Sequence, residues 1–296
     1  NLALSVHLSQ SRQDKLSTLG RLVRETEKGT ILVYCATRRA VEEVAAWLGQ
    51  SHPSVGYYHA GLSDEERRMV HEEFRRGTVR ILAATNAFGM GIDKPDVRLV
   101  VHFDIPGSLE AYYQEVGRAG RDGRPAACAL LFHERDLATQ EYFIEQASKD
   151  PEGTDRAGRM KTLLQEMLGY VSTSTCRQLA ILEYFSDDAE RALGPCGLCD
   201  RCVTPAPQPG RSIFHKTEVS AKAILETVSW CMGRFGMGRI VDMLRGSRSK
   251  ALLAYGAENC PTYGICRAQT KPVVTGLVKN LIQSGYLRIE GTEYPT

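Results

Sequence analysis

The chain has 296 residues, 43% hydrophobic and 24% charged, with a formal net charge of +2. That composition is ordinary for a globular protein of two or three domains and excludes a disordered or collagen-like chain. No apolar run approaches the roughly 20 residues of a membrane-spanning helix, and Asn1–Ser5 lacks the basic start and apolar core of a signal peptide.

Taken in chain order, residues 13–131 alternate between two hydrophobic periods. Leu16, Leu19, Leu22 and Val23 recur at helical spacing, and Thr30–Cys35 is a short apolar run that predicts a buried strand. Arg38–Leu48 returns to helical spacing, and Val55–His59 is a second strand. Ser63 followed by Glu66 forms a capping box that opens a helix to about Arg76. Val79–Ala84, Arg98–Phe103 and Ala126–Phe132 are further strands, with a helix over Ser108–Val116. Apolar strands alternating with amphipathic helices predict an α/β domain whose parallel sheet is covered on both faces. Residues 135–185 read as helices. Met160, Leu163, Leu164, Met167 and Val171 share one face, and Leu179, Leu182 and Phe185 continue on a second helix. Three prolines in Thr204–Gly210 mark a linker. Beyond it, helical patterns lie near 218–235, 237–245, 247–256 and 271–284. The alternating segment Tyr286–Glu293 then completes the pattern of a winged helix-turn-helix. The expected boundaries are a sheet domain over 1–134, a helical module over 135–204, a linker over 205–211 and a winged helix over 212–296.

Charge is uneven along this plan. Residues 205–296 hold 12 Lys/Arg against 6 Asp/Glu, a net +6, while the two earlier parts are each slightly acidic. A basic domain is an electrostatic footprint for nucleic acid. Nine cysteines, an odd number, do not make a disulfide framework, which points to a reducing, cytoplasmic compartment. Cys196, Cys199 and Cys202 offer three thiolates at spacings that suit tetrahedral zinc. Cys176 is the expected fourth ligand, and His215 beyond the linker is the alternative. A closed site of this kind is structural.

Two further stretches carry chemistry. In Gln114–Gly123, Arg118 and Arg121 each follow a glycine, and a pair of planar guanidinium forks suits phosphate oxygens. Taken alone, the run is equally a solvated basic turn. Ala84–Asp93 follows a strand, where open α/β sheets bind ligands. Thr85 there can bond a phosphate, and Asp93 a ribose or an arginine. Thr37 and Arg38 stand in the same relation to the first strand, although a threonine in that place also serves as a plain helix cap. No Gly-x-x-x-x-Gly-Lys-Ser/Thr loop and no acidic pair suited to Mg²⁺ occur in these 296 residues.

Thr30–Arg38, Tyr58–Leu62, Ala84–Asp93 and Gln114–Gly123 resemble, in order, the motifs of the second RecA-like lobe of superfamily 2 helicases. Residues 88–106 and 112–123 look specifically like RecQ DNA helicases. The resemblance continues through Cys176-Arg177 and the Cys196–Cys202 cluster, the RecQ zinc module. It extends into Arg234–Gly238, Leu244–Ser247 and Tyr263–Ile265, the pattern of the RecQ winged helix. It implies a RecA-like lobe, a zinc module and a winged helix from an ATP-dependent 3′-to-5′ DNA helicase of recombination and repair. The Walker-bearing first lobe is absent from the sequence, which also lacks an initiator Met and so reads as a piece of a longer chain. By the resemblance, Arg121 acts as arginine finger with Arg118 as partner, Gln114 senses nucleotide, and Gly91 and Asp93 couple the nucleotide cleft to DNA. Thr37, Arg38 and Thr85 contact the backbone of the single strand, and Arg248, Lys250, Arg267, Lys271 and Lys279 grip duplex. Zinc is structural, ATP and Mg²⁺ enter only with the first lobe, and the chain alone is inactive. The alternative is a zinc-bearing winged-helix DNA-binding module without motor activity.

Overall fold

A computed structural model describes residues 1–89, 93–149, 153–203, 221–267, 269, 271–283 and 286–288. The chain divides into two compact units, Asn1–Ala206 and Pro207–Thr296.

In the first unit the elements run β1 (Leu2–Leu8), α1 (Arg12–Glu25), β2 (Thr30–Tyr34), α2 (Arg38–Gly49), β3 (Val55–Tyr58) and α3 (Asp64–Arg76). They continue with β4 (Ile81–Ala84), β5 (Val97–His102), α4 (Leu109–Val116) and β6 (Ala126–Phe132). The strands form one parallel sheet in the order β1-β6-β5-β2-β4-β3. Strands β2 and β4 are buried throughout, as their unbroken apolar sequences require. Helix starts follow local chemistry. Ser11, Thr37 and Ser108 each accept an amide of the first turn, and Ser63 with Glu66 forms the full capping box.

Strand β1 lies outside the elements expected from the sequence. Its sequence LALSVHL mixes Ser5 and His7 into a half-exposed edge strand, which pairs in parallel with β6. Helices α1 and α2 cover one face of the sheet. Leu19, Val23, Val41, Val44 and Leu48 pack there against Ile31, Val33, Ile81 and Val101. Each such side chain contributes about 1.5–3 kcal/mol on burial. Because the strands are parallel, the chain leaves β2, β4 and β5 along one edge, at Cys35, Thr85 and Phe103.

The helices α5 (Asp136–Ser148), α6 (Gly153–Ser172), α7 (Arg177–Tyr184), α8 (Asp188–Arg191) and α9 (Asp200–Val203) complete this unit. The apolar stripe of α6 is internal, with Leu164, Met167 and Val171 buried. Helix α7 departs from expectation: its buried residues are Arg177 and Ile181, while Phe185 is 42% exposed and packs on Tyr113.

The second unit contains α10 (Ala221–Cys231), α11 (Met237–Leu244), α12 (Lys250–Leu253), a 3-10 turn at Ala257–Asn259, and α13 (Lys271–Gln283). Its core joins Ile224, Phe235, Ile240, Val241, Leu244, Leu252, Val274 and Val278. Two expected helices are shorter than their patterns. The first stops at Cys231, because Met232 and Gly233 both take positive φ, 48° and 71°. The second is one turn, opened by the Ser249 cap and closed before Gly256 at φ 67°. The expected hairpin falls on residues 286–293, and of these only 286–288 are described. The amides of Tyr286 and Leu287 both donate to the Leu281 carbonyl.

Candidate nucleotide cleft and metal centre

The C-terminal edge of the sheet gathers most of the residues singled out in the first unit. Thr37 is half-buried, and its hydroxyl accepts the Ala40 amide at 3.1 Å, so it serves first as the α2 cap. Arg38 is exposed at the helix start and lies against Gly61, where a Cβ would come 3.1 Å from its guanidinium. The adjoining turn is set by His59. It accepts the Gly61 amide on Nδ1 at 3.2 Å and bonds Glu42 through Nε2 at 3.0 Å. Thr85 is only 8% exposed, so its side chain offers little surface at this edge. Gly91 lies outside the described residues.

Helix α4 delivers the arginine pair. The helix is short, capped by Ser108 and ended at Gly117, and Leu109, Tyr112, Glu115 and Val116 form its inner face. Gln114 is exposed on its outer face. The turn beyond carries Arg118, whose Nη1 donates to the Gly89 carbonyl at 2.6 Å while its Nε is buried without a partner among the described residues. Gly89 permits this approach, since a Cβ there would stand 2.7 Å from Arg118 Nη2. Arg121 pairs with Asp93 at 3.0 Å and also donates to the Gly117 carbonyl. Asp93 is 85% exposed, so that ion pair is weakly held, worth up to about 1 kcal/mol. The structure therefore joins the glycine loop after β4 to the arginine turn after α4.

Cys176, Cys196, Cys199 and Cys202 bring their four sulfurs within 4.8 Å of one another. The pairs Cys199–Cys202, Cys176–Cys199 and Cys196–Cys202 are separated by 3.5, 3.9 and 4.0 Å. A tetrahedron of thiolates around zinc at 2.3 Å has edges of about 3.8 Å. The cluster therefore fits zinc, with Cys176 as the fourth donor. Gly197, at φ 71°, bends the chain so that the amides of Leu198 and Cys199 both donate to Cys196 Sγ at 3.4 Å. Burial opposes ionisation of Cys176, but the amides of Cys196 and Leu179 outweigh it and bring the thiol down to about 7. Burial, with the neighbouring Cys199 thiol, pushes Cys202 up to about 12. Four adjacent thiols cannot all ionise without a cation at their centre.

A buried arginine that sequence periodicity misses ties this centre to the sheet. The Arg177 amide donates to Cys199 Sγ at 3.4 Å, and its guanidinium grips Asp200 at 2.7 and 3.0 Å. Asp200 in turn accepts the Val6 amide of β1 at 3.2 Å. The available signal was the placement of each partner directly after a cysteine, at Cys176-Arg177 and Cys199-Asp200. A second buried cation, Lys15, sits between Asp104 and Asp136 at 3.2 and 2.8 Å.

In the second unit Arg248 and Lys250 are exposed around the start of α12. Arg267 is exposed with its guanidinium against the Gly246 and Gly264 turns. Lys271 opens α13 and pairs with Asp242 at 2.8 Å, and Lys279 is half-buried on the same helix.

Three stretches match known domain families in chain order. They are the helicase conserved C-terminal domain over residues 14–123, the RecQ zinc-binding domain over 134–203 and the RQC domain over 217–296. The chain is 34% identical over 265 residues to the ATP-dependent DNA helicase RecQ of Bacillus subtilis, covering 90% of this chain and 43% of that protein. It is 33% identical over 257 residues to the RecQ of Pasteurella multocida, covering 87% and 39%. To the ATP-dependent helicase wrn-1 of Caenorhabditis elegans it is 31% identical over 297 residues, covering 97% and 28%. It thus spans less than half the length of each of these relatives. The arginine turn closes the first match and the four-cysteine cluster lies inside the second. By this order of domains and the residues within them, the chain belongs to the RecQ family of helicases, to the C-terminal region of its members.

Proposed function

We propose that this region works as the second RecA-like lobe, zinc module and winged helix of an ATP-dependent 3′-to-5′ DNA helicase that unwinds duplex in recombination and repair. The observation that carries the reading is the joining of two loops at one sheet edge. Arg118 rests on Gly89, and Arg121 on Asp93. Arginine forks so placed stabilise charge on a transferring phosphoryl group. Arg121 is the finger and Arg118 its partner. The Asp93 pair holds Arg121 at the surface until a triphosphate competes for it. Gln114 senses the same nucleotide, and Gly91 and Asp93 couple it to DNA. ATP and Mg²⁺ are held with a Walker-bearing lobe. Thr37, Arg38 and Thr85 follow the backbone of the single strand. The zinc is structural, and the nine cysteines suit a reducing cytoplasm. Domain limits at 134, 204 and 211 belong to the same proposal.

Replacing Gly89 by alanine tests the joint. The new Cβ meets Arg118 Nη2 at 2.7 Å and displaces the guanidinium from its carbonyl. In a helicase carrying this region, ATP turnover falls about tenfold or more with the fold intact, as misplacement of a reacting group by about 1 Å costs up to 10²-fold. Unchanged turnover, with circular dichroism unaltered, counts against the arrangement.

One observation favours a second reading, a DNA-binding module without motor activity: the +6 charge gathered in residues 205–296. Duplex binding through Arg248, Lys250, Arg267, Lys271 and Lys279 gives a log–log salt slope of about −4 to −5 if each neutralises one phosphate. Titration between low and moderate salt measures it, and a flat response removes this surface from the account. Directional strand separation, measured on tailed duplexes, separates motor from module.

A further inference from the structure

Behind the arginine pair lies a buried contact that no nucleotide or DNA role assigned above employs. His102, at the end of β5, is 1% exposed, and its Nε2–H donates to Glu115 Oε2 at 2.7 Å. Glu115 sits on the inner face of α4 beside Tyr112 and Val116. A carboxylate buried there needs a partner, yet a well-packed apolar pair of the same volume is often as stable. The arrangement also leaves His102 Nδ1 buried without a partner among the described residues, at a cost to folding. What this pair holds in place explains its presence better than stability does.

It holds Arg118 from two sides. The Glu115 main-chain carbonyl accepts the Arg118 amide at 3.2 Å, so anchoring the carboxylate on His102 fixes the turn from which the arginine departs. On the other side the imidazole stacks on Tyr34, with centroids 5.4 Å apart and planes at 26°. The Tyr34 hydroxyl donates to the Phe88 carbonyl at 3.2 Å and meets the Arg118 side chain. Burial raises the Tyr34 phenol well above its ordinary range, so it remains a donor. The backbone and the guanidinium of Arg118 are thus both referenced to one imidazole. The same ring lies 4.8 Å, centroid to centroid, from Tyr112, whose hydroxyl accepts from Tyr170 of α6 at 3.2 Å. The reference frame therefore reaches the helical module that carries the zinc ligands.

We propose that His102 is a positioning residue for the nucleotide chemistry. It fixes Glu115 and Tyr34 so that Arg118 faces the triphosphate. The proposal rests on the nucleotide-clamp reading above. The test uses a complete helicase carrying this region and measures kcat and KM for ATP and affinity for single-stranded DNA. His102→Phe and Glu115→Met each lower kcat about 10- to 100-fold, with KM and DNA affinity changed no more than about twofold. His102→Gln restores most of the rate, because its amide nitrogen again reaches Glu115. His102→Phe combined with Arg118→Ala is no slower than Arg118→Ala alone. A folded His102→Phe enzyme with normal kcat overturns the proposal, as do additive losses in the double variant. Should His102→Phe fail to fold, Glu115→Met decides: normal kcat there overturns it too. If Arg118→Ala and Arg121→Ala leave turnover intact, the clamp reading itself fails. If they abolish turnover while His102→Phe does not, only the positioning role falls.

Discussion

Stripping zinc from this chain with a strong chelator, or replacing Cys199 by serine, unfolds the stretch from Cys176 to Val203 and lowers the melting temperature of the sheet domain. The stretch has few buried apolar side chains of its own: Cys176, Ile181 and Cys199 are its buried hydrophobic residues, against many exposed ones. Zinc at such sites binds with an apparent free energy of about 10–16 kcal/mol, much of which is folding energy. The damage spreads because Arg177 and Asp200 sit directly beside two ligands. Once Asp200 moves, the buried guanidinium loses its carboxylate and keeps the Tyr170 carbonyl, at a cost of about 3–5 kcal/mol, and the β1 edge loses its bond from Val6. Metal analysis of the native chain should return one zinc per chain. Acid weakens the metal, because the metal-free thiols hold protons that zinc must displace, with Cys176 near 7 and Cys202 near 12. Zinc affinity therefore falls as pH drops through neutrality. A Cys199→Ser chain that melts with the native one contradicts this account of the module.

The second large effect is at Arg121. In a helicase carrying this region, Arg121→Ala lowers ATP turnover by about 10³-fold or more, the range in which arginine fingers act. Stability changes little, since the side chain is over a third exposed and its ion pair to Asp93 is a surface one. Arg118→Ala also loses turnover, and additionally leaves the Gly89 carbonyl without its donor. Arg121→Lys does not rescue, because a point charge lacks the planar fork. Single-turnover hydrolysis measures the loss, and a tenfold effect or smaller places Arg121 outside the chemistry.

Local signals in the sequence carry far where the physics is local. The capping box at Ser63 and Glu66, the apolar run of β2 and the Cys196–Cys202 spacing depend on neighbours in the chain, and each forms as expected. Cys176 is brought to the other three cysteines by the fold. It is expected over His215 because His215 lies beyond the proline-rich linker, and His215 itself falls outside the described residues. Elements stabilised by distant partners are less legible. Strand β1 carries the two-residue alternation of a half-buried strand, but the partner that orders it, β6, lies more than 120 residues away. Arg177 reads as a surface residue of α7 until Asp200 is placed against it. His102 and Glu115 read as an ordinary strand residue and an ordinary helix residue, and nothing in their spacing says that they meet. Phe185 shows the converse, an aromatic at core spacing that the fold turns toward Tyr113 on the surface. Thr85 fits a phosphate-binding pattern but is largely covered, because the β4 strand end is packed from both sides.

In the proposed function, the arginine turn after α4 acts on a nucleotide cradled by another lobe. DNA-stimulated ATP hydrolysis tests it most directly, measured for this chain alone, for the chain joined to a Walker-bearing first lobe, and for the joined protein with Arg121→Ala. The expected result is no turnover from the chain alone, robust turnover from the joined protein, and loss of about 10³-fold with the substitution. Hydrolysis by the chain alone, or native turnover in the joined Arg121→Ala protein, contradicts it.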